Sequence, residues 1–208
     1  MRIGIIGAGN VGLGLTKLLA PRHEIVLSFS RDRPKLEAAA AAIGARAGSV
    51  AESASFGEVV VLATPYTANQ EASAQAGSPG EGKILWDCTN PLKPDLIGLL
   101  VGTTTSGAEL TATHAPWARV VKAIPPFAEL MQSGSVELGG RKPAVFVCGD
   151  DESARETVAG LVRDLGAEPV NAGALALSRY VEPAGMLLVA LAYRGGFGGR
   201  IGLSLIRG

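Results

Sequence analysis

Cysteine is scarce in this chain, net charge is absent, and no long uninterrupted apolar run occurs. The two cysteines among 208 residues, Cys88 and Cys148, fall within or just after predicted strands. They share no CxxC spacing and have no histidine beside them, so no metal site is expected and both read as small buried hydrophobes; a chain of this length needs no disulfide for stability. The 19 basic and 19 acidic side chains cancel, and no dense basic run marks a polyanion-binding face. Nucleic acid is therefore not an expected partner. The longest apolar stretch, Gly185 to Tyr193, is too short to span a bilayer, so no membrane partner is expected either. No secretory cleavage pattern follows Met1-Arg2-Ile3-Gly4-Ile5-Ile6, and the expected location is cytoplasmic.

What the chain has in plenty is glycine, 28 of 208 residues, about twice the average share. Many of these glycines close short motifs at element ends, where backbone must turn tightly or meet a ligand. Between them, short β-rich runs alternate with Ala- and Leu-rich helical stretches. Strands are predicted at 2–6, 24–28, 58–63, 83–87 and 119–123, and helices near 11–20, 33–43, 67–76 and 106–114, with a short one near 51–55. Continuous apolar runs such as Val59-Val60-Val61-Leu62 require helices on both sheet faces. The expected fold is α/β, a Rossmann-type doubly wound, mostly parallel sheet. A further strand at 144–148, a helix near 152–165, a strand at 168–171 and a last helix near 175–193 form a small packed C-terminal αβ segment. The division expected is a dinucleotide-binding domain over 1–125 and an acceptor-binding and oligomerisation segment over 126–208, with 134–142 as a surface turn.

Gly7-Ala8-Gly9-Asn10-Val11-Gly12 follows the first strand and opens the first helix, where a GxGxxG pattern has its mechanism. Gly7 permits the turn, Gly9 lets backbone approach a pyrophosphate, and Gly12 lets helix pack on sheet. The phosphates then meet free N–H groups at the positive end of the helix dipole. After the second strand the chain reads Ser28-Phe29-Ser30-Arg31. A hydroxyl from Ser30 and a guanidinium from Arg31 suit a 2′-phosphate, and Lys35 adds charge one turn on, so NADP is favoured; Asp32 keeps NAD as the alternative.

Ligands in such sheets lie outside the carboxyl ends of the strands. That rule makes Thr64, Pro65, Asn90 and Pro91, from Thr64-Pro65-Tyr66 and Cys88-Thr89-Asn90-Pro91-Leu92, candidate contacts for the nicotinamide. No catalytic amino acid emerges: His23 and His114 sit in a turn and at a helix end, and Tyr66, Tyr180 and Tyr193 make no YxxxK pattern. The chemistry expected is one done by cofactors, with protein holding donor and acceptor in register.

Together with Val120-Val121-Lys122-Ala123, Gly166-Ala167-Glu168-Pro169-Val170 and Arg179-Tyr180-Val181-Glu182-Pro183, these motifs resemble the F420-dependent NADP oxidoreductase family. That family also includes the nucleotide-binding part of membrane ferric reductases. The resemblance implies hydride transfer between NADP and a deazaflavin, F420, held by the C-terminal segment, with Ser30, Arg31 and Lys35 on the 2′-phosphate. The sequence departs from the family after Ala123, where Ile124-Pro125-Pro126-Phe127 replaces an aromatic residue and an asparagine and removes two N–H donors. Three readings follow: an NADPH:F420 oxidoreductase, an NADPH-dependent reductase of a flavin, ferric chelate, small carbonyl or imine, or a non-catalytic NADP-binding protein. A homodimer is expected through the last helix, where Met186, Leu187, Leu188, Val189 and Leu191 crowd together. The glycine-rich tail 195–202 reads equally as a flexible end or as an acceptor contact.

Overall fold

Strand residues alternate between two apolar layers. Ile3, Ile5, Val59, Val61, Ile84 and Trp86 point into one buried cluster, and Val60, Leu62 and Leu85 into the other, as the two-residue period of a pleated strand dictates. In the computed structural model, which describes residues 1–29, 32–206 and 208, the strands are β1 (Arg2–Ile6), β2 (Glu24–Ser28), β3 (Arg46–Ala47), β4 (Val59–Leu62), β5 (Ile84–Asp87), β6 (Arg119–Lys122), β7 (Ala144–Gly149) and β8 (Glu168–Gly173). The helices are α1 (Asn10–Leu19), α2 (Arg33–Ala42), α3 (Val50–Phe56), α4 (Asn69–Ala76), α5 (Gly107–His114), α6 (Ala128–Gln132), α7 (Glu152–Asp164) and α8 (Ser178–Tyr193). The strands form one sheet in the order β3-β2-β1-β4-β5-β6-β7-β8. Every adjacent pair is parallel except β6 and β7.

This is a Rossmann-type α/β sheet. Its order reverses between β1 and β4, so a crevice opens there above the carboxyl ends of the strands. The antiparallel step at β6–β7 carries residues of the 126–208 segment into the sheet begun by residues 1–125. Local chemistry sets the helix starts. Ser49 and Glu52 form a reciprocal capping box on α3, and Asp151 accepts from the Ala154 N–H at 2.7 Å on α7, each of the kind worth about 1 kcal/mol.

Two elements carried no sequence signal, β3 and α6, because two and five residues are too few to show a period. The helix expected from residue 67 starts at Asn69, since Pro65 leads first into a 3-10 turn, Tyr66–Ala68. The strand expected to stop at Asn171 runs to Gly173, with a register shift opposite Val147 and Cys148. The tail docks: the Ala144 N–H donates to the Leu203 carbonyl at 2.8 Å.

The last helix corrects the reading based on its uninterrupted apolar run. As a whole, Leu175–Tyr193 has 19 residues and is long and apolar enough, by length and composition, to cross a membrane. In this structure 22% of its apolar window is buried, and Glu182, 1% exposed, ties it to β6 and to the start of α5.

Candidate functional site

The glycine loop is built by close approach. Gly7 has φ +127°, and a Cβ placed there would stand 2.3 Å from the Ala63 carbonyl oxygen of the neighbouring strand end. A Cβ on Gly12 would lie 1.8 Å from the Gly7 oxygen. Neither position admits a side chain without moving backbone. Gly9 is different: a Cβ there meets nothing within 4 Å, so its bareness serves no contact inside the protein. Gly9 is also the N-cap of α1, with no side-chain cap and no acidic residue in the first turn. The first N–H groups of a ten-residue helix therefore face the crevice with no carboxylate opposing an anion. Ala8 and Asn10 complete the loop, and Asn10 and Val11 border the large cavity described below. The pyrophosphate of a dinucleotide fits this cradle.

At the end of β2, Ser28 is spent on structure, since its Oγ donates to the Ile5 carbonyl at 3.1 Å. Phe29 then adopts φ +62°, a left-handed conformation that costs a bulky residue on the order of 1–2 kcal/mol. Ser30 and Arg31, expected at the 2′-phosphate, lie outside the described residues. Asp32 caps α2 by accepting from the Lys35 N–H at 3.0 Å, and the Lys35 side chain is exposed on the first turn.

Thr64, Pro65 and Asn90 line one cavity of about 650 Å³ together with Asn10, Val11 and α8. Pro91 does not: it is buried below, against the space Gly107 leaves empty, and its carbonyl accepts from Leu100. The cavity is the size of a small-ligand pocket. Its far wall is Ile124-Pro125-Pro126-Phe127, Pro143–Phe146, Val181, Leu188 and Val189, and Ile201, Gly202 and Leu203 of the tail close it.

Beneath the loops that carry Thr64-Pro65 and Thr89-Asn90 runs a buried polar chain. Thr64 Oγ1 donates to Asn69 Oδ1 at 2.8 Å, and Asn69 Nδ2 donates to Thr89 Oγ1 at 2.9 Å. Thr89 Oγ1 donates to Asp87 Oδ1 at 2.7 Å, and Lys122 Nζ donates to Asp87 Oδ2 at 3.2 Å and to the Thr89 carbonyl at 2.5 Å. Lys122 also meets Glu182 Oε1 at 3.1 Å. The Glu182 carboxylate in turn accepts from the Gly107 and Ala108 N–H groups at 2.8 and 2.9 Å, at the positive end of α5. Burial pulls the Lys122 ammonium toward deprotonation, but the Asp87 and Glu182 carboxylates outweigh it and hold its pKa above the ordinary lysine value. Burial, then the same two carboxylates, raise the Tyr66 phenol.

Lys122 and Glu182 entered the sequence analysis only inside the motifs of the family resemblance, Asp87 only as the end of a predicted strand, Tyr66 only as a neighbour of Thr64 and Pro65, and Asn69 not at all, so none was given a role. The available signal was a lone charge in an apolar context: lysine ending Val120-Val121, aspartate ending Leu85-Trp86, and glutamate inside an apolar helix. Such charges are rarely buried unpaired. Asn90 closes the set. Its Nδ2 donates to the Glu182 carbonyl at 3.2 Å, while its Oδ1 is buried with no partner.

Glycine cradle, switch-point crevice and adjoining cavity are the parts of a Rossmann-type dinucleotide site. Residues 2–91 match the family described as "NADP oxidoreductase coenzyme F420-dependent". A putative F420-dependent NADP-reductase of Arthrobacter sp. FB24 superposes with a TM-score of 0.87 at 27% identity, covering 100% of both chains. The first part of the chain is thus similar to that family, and the fold as a whole to the Arthrobacter protein. It is also 29% identical over 182 residues to the metalloreductase STEAP3 of Rattus norvegicus, covering 87% of this chain and 36% of that protein. With a glycerol-3-phosphate dehydrogenase [NAD(P)+] of Methylibium petroleiphilum it shares 27% identity, covering 89% and 54%. The chain thus spans about a third to a half of the length of these two relatives.

Proposed function

We propose that the chain binds NADP(H) along the switch-point crevice and exchanges a hydride between the nicotinamide and a small-molecule acceptor in the adjoining cavity. One observation carries this reading: a single cavity is bordered by the glycine loop at Asn10 and Val11, by Thr64, Pro65 and Asn90, and by α8. A nicotinamide led from the loop along the strand ends arrives beside the cavity, so donor and acceptor share one space. The orphan Asn90 Oδ1 supplies an acceptor for the carboxamide N–H of the ring. Arg31, with Ser30 and Lys35, serves the 2′-phosphate. Once bound, NADP(H) supplies the hydride, and the protein supplies position and dryness.

The family match over residues 2–91 makes F420 the first acceptor to test, with flavin, ferric chelate and simple carbonyls or imines beside it. The deciding experiment is equilibrium titration of NADPH and NADH by fluorescence, followed by turnover with that panel. The reading requires NADPH to bind more tightly than NADH, and Arg31→Ala to remove about 1.5–3 kcal/mol from NADPH alone. Equal weakening of both cofactors places the phosphate elsewhere. Tight NADPH binding without turnover leaves a non-catalytic NADP-binding protein. We also propose a homodimer through the outward stripe of α8, where Tyr180, Leu187 and Leu191 are exposed; light scattering at rising concentration tests it.

A further inference from the structure

The cavity wall bears on which acceptor the site takes. A deazaflavin coenzyme joins a flat polar tricycle to a tail of phosphate and carboxylates, so its binding site needs cations for the tail and N–H donors along the ring edge. The described lining residues include one cation, Lys93, and one anion, Glu129, and both are exposed at the rim. Glu129 accepts from the Tyr193 hydroxyl at 2.9 Å, which sets a carboxylate at the mouth where an anionic tail would leave. Pro125 and Pro126 present a stretch of wall with no N–H at all. The remaining surface is mostly aliphatic and aromatic: Leu92, Leu96, Ile124, Phe127, Phe146 and Leu188.

Polar groups inside this wall are few and mostly committed. Thr64 and Thr89 donate into the buried chain. Asn90 Oδ1 is left for the ring carboxamide, and Tyr66 is a protic group whose hydroxyl is not committed. It lines the cavity next to Thr64 and Pro65, its ring edge lies against the bare Cα of Gly107, and among the described residues none hydrogen-bonds its hydroxyl. Burial first, then the carboxylates of Glu182 on α8 and Asp87 on β5, opposed by Lys122 on β6, raise the phenol and keep it neutral. A phenol kept protonated is a proton donor held ready beside an apolar space.

We infer that the acceptor is a neutral, mostly apolar compound bearing a polarised C=O or C=N bond, and that Tyr66 is the residue that protonates it. This rests on the NADP(H) reading above. The electron balance is simple: the acceptor carbon takes a hydride from NADPH, which leaves as NADP⁺, and the carbonyl oxygen or imine nitrogen takes the Tyr66 phenol proton. The phenolate recovers a proton from solvent through the open mouth. An alcohol or amine is the product.

The test has a binding arm and a turnover arm. Calorimetric titration of the NADP⁺-loaded protein with cyclohexanone, with FMN and with F420 should show the neutral ketone bound and the two anions not. Turnover of NADPH should occur with cyclohexanone or a simple cyclic imine. Tyr66→Phe should lower kcat about 100-fold while leaving the NADPH dissociation constant and the ketone heat in place, and the alkaline limb of the kcat profile should vanish. Binding and reduction of F420 or FMN in preference to the neutral compounds overturns the acceptor class and leaves the NADP(H) reading standing. An unchanged kcat in Tyr66→Phe overturns the role of that residue. Failure of NADPH to bind overturns the earlier reading, and this one falls with it. NADPH binding without reduction of any neutral compound overturns this inference alone.

Discussion

Lys122 Nζ and Glu182 Oε1 meet at 3.1 Å with side-chain exposures of 0% and 2%, tying the end of a central strand to the last helix. Asp87 completes the group at 3.2 Å. A buried pair of this kind contributes little net stability compared with an apolar substitute, yet removing one partner leaves the others charged and dry. Lys122→Met should therefore cost on the order of 3–5 kcal/mol, read as a fall in denaturant midpoint. Adding Asp87→Asn and Glu182→Gln to that variant should recover part of the loss. The linkage has one direction. The folded pKa of Lys122 is raised above 10.5, so its contribution is complete below that value and lost as pH climbs through the folded one. Melting temperature measured from neutral to strongly alkaline pH should fall more steeply for the parent than for the triple variant. Parallel curves would show that the ammonium does not titrate with unfolding.

The two thiols should be silent in the folded protein. Burial raises Cys148 to about 11, and burial together with the Asp87 carboxylate pushes Cys88 well above the ordinary thiol value. At about pH 8 only ~0.1% of Cys148 is thiolate, too little for attack on a disulfide reagent. Ellman's reagent should titrate no thiol within minutes natively and both thiols in denaturant. A fast native reaction at one of them would locate an opening near the cavity, since Cys88 is one of its lining residues.

How much of this is legible in the sequence depends on how local each feature is. The glycine cradle was legible because Gly7, Gly9 and Gly12 act within one turn, and the parallel sheet because Val59–Leu62 and its neighbours are apolar on both faces. Lys122, Asp87 and Glu182 were not: their meeting is set by the β5–β6 adjacency and by the docking of a helix some sixty residues further along. The tail is a similar case. Its glycines read equally as a loose end, whereas the Ala144–Leu203 hydrogen bond and the packing of Gly202 on Pro143 hold it over the cavity. The two prolines at 125 and 126 could be seen in the sequence as a break in the family pattern, but their place in the wall could not.

Gly185 should prove a shape requirement of the site. A Cβ there would stand 2.8 Å from Asn90 Nδ2 and 3.0 Å from Ile124 Cδ1. Gly185→Ala should push the Asn90 amide off the Glu182 carbonyl and overpack the helix by about 1–3 kcal/mol. The control is Gly160→Ala in α7, where a Cβ meets nothing within 4 Å and a helix-interior alanine should add about 0.5–1 kcal/mol. NADP⁺ affinity should drop in the first variant and hold in the second. If Gly185→Ala binds NADP⁺ as the parent does, Asn90 has no part in holding the ring.

Gly9 offers the sharpest separation of fold from function. It has an ordinary φ of −84°, and the space beside its Cα is open, so Gly9→Ala should lose only the N-cap preference for glycine and melt about 1–3 °C below the parent. Its added methyl enters the approach of the pyrophosphate to the α1 N–H groups, and NADPH should bind about tenfold more weakly, ~1.4 kcal/mol. Gly12→Ala reverses the pattern, because its Cβ would collide with the Gly7 carbonyl at 1.8 Å; there the melting temperature itself should fall by many degrees. Measuring both quantities for both variants distinguishes a ligand-facing glycine from a packing one. Should Gly9→Ala keep full NADPH affinity, the dinucleotide does not cross this loop, and the phosphates would have to be sought at another helix end.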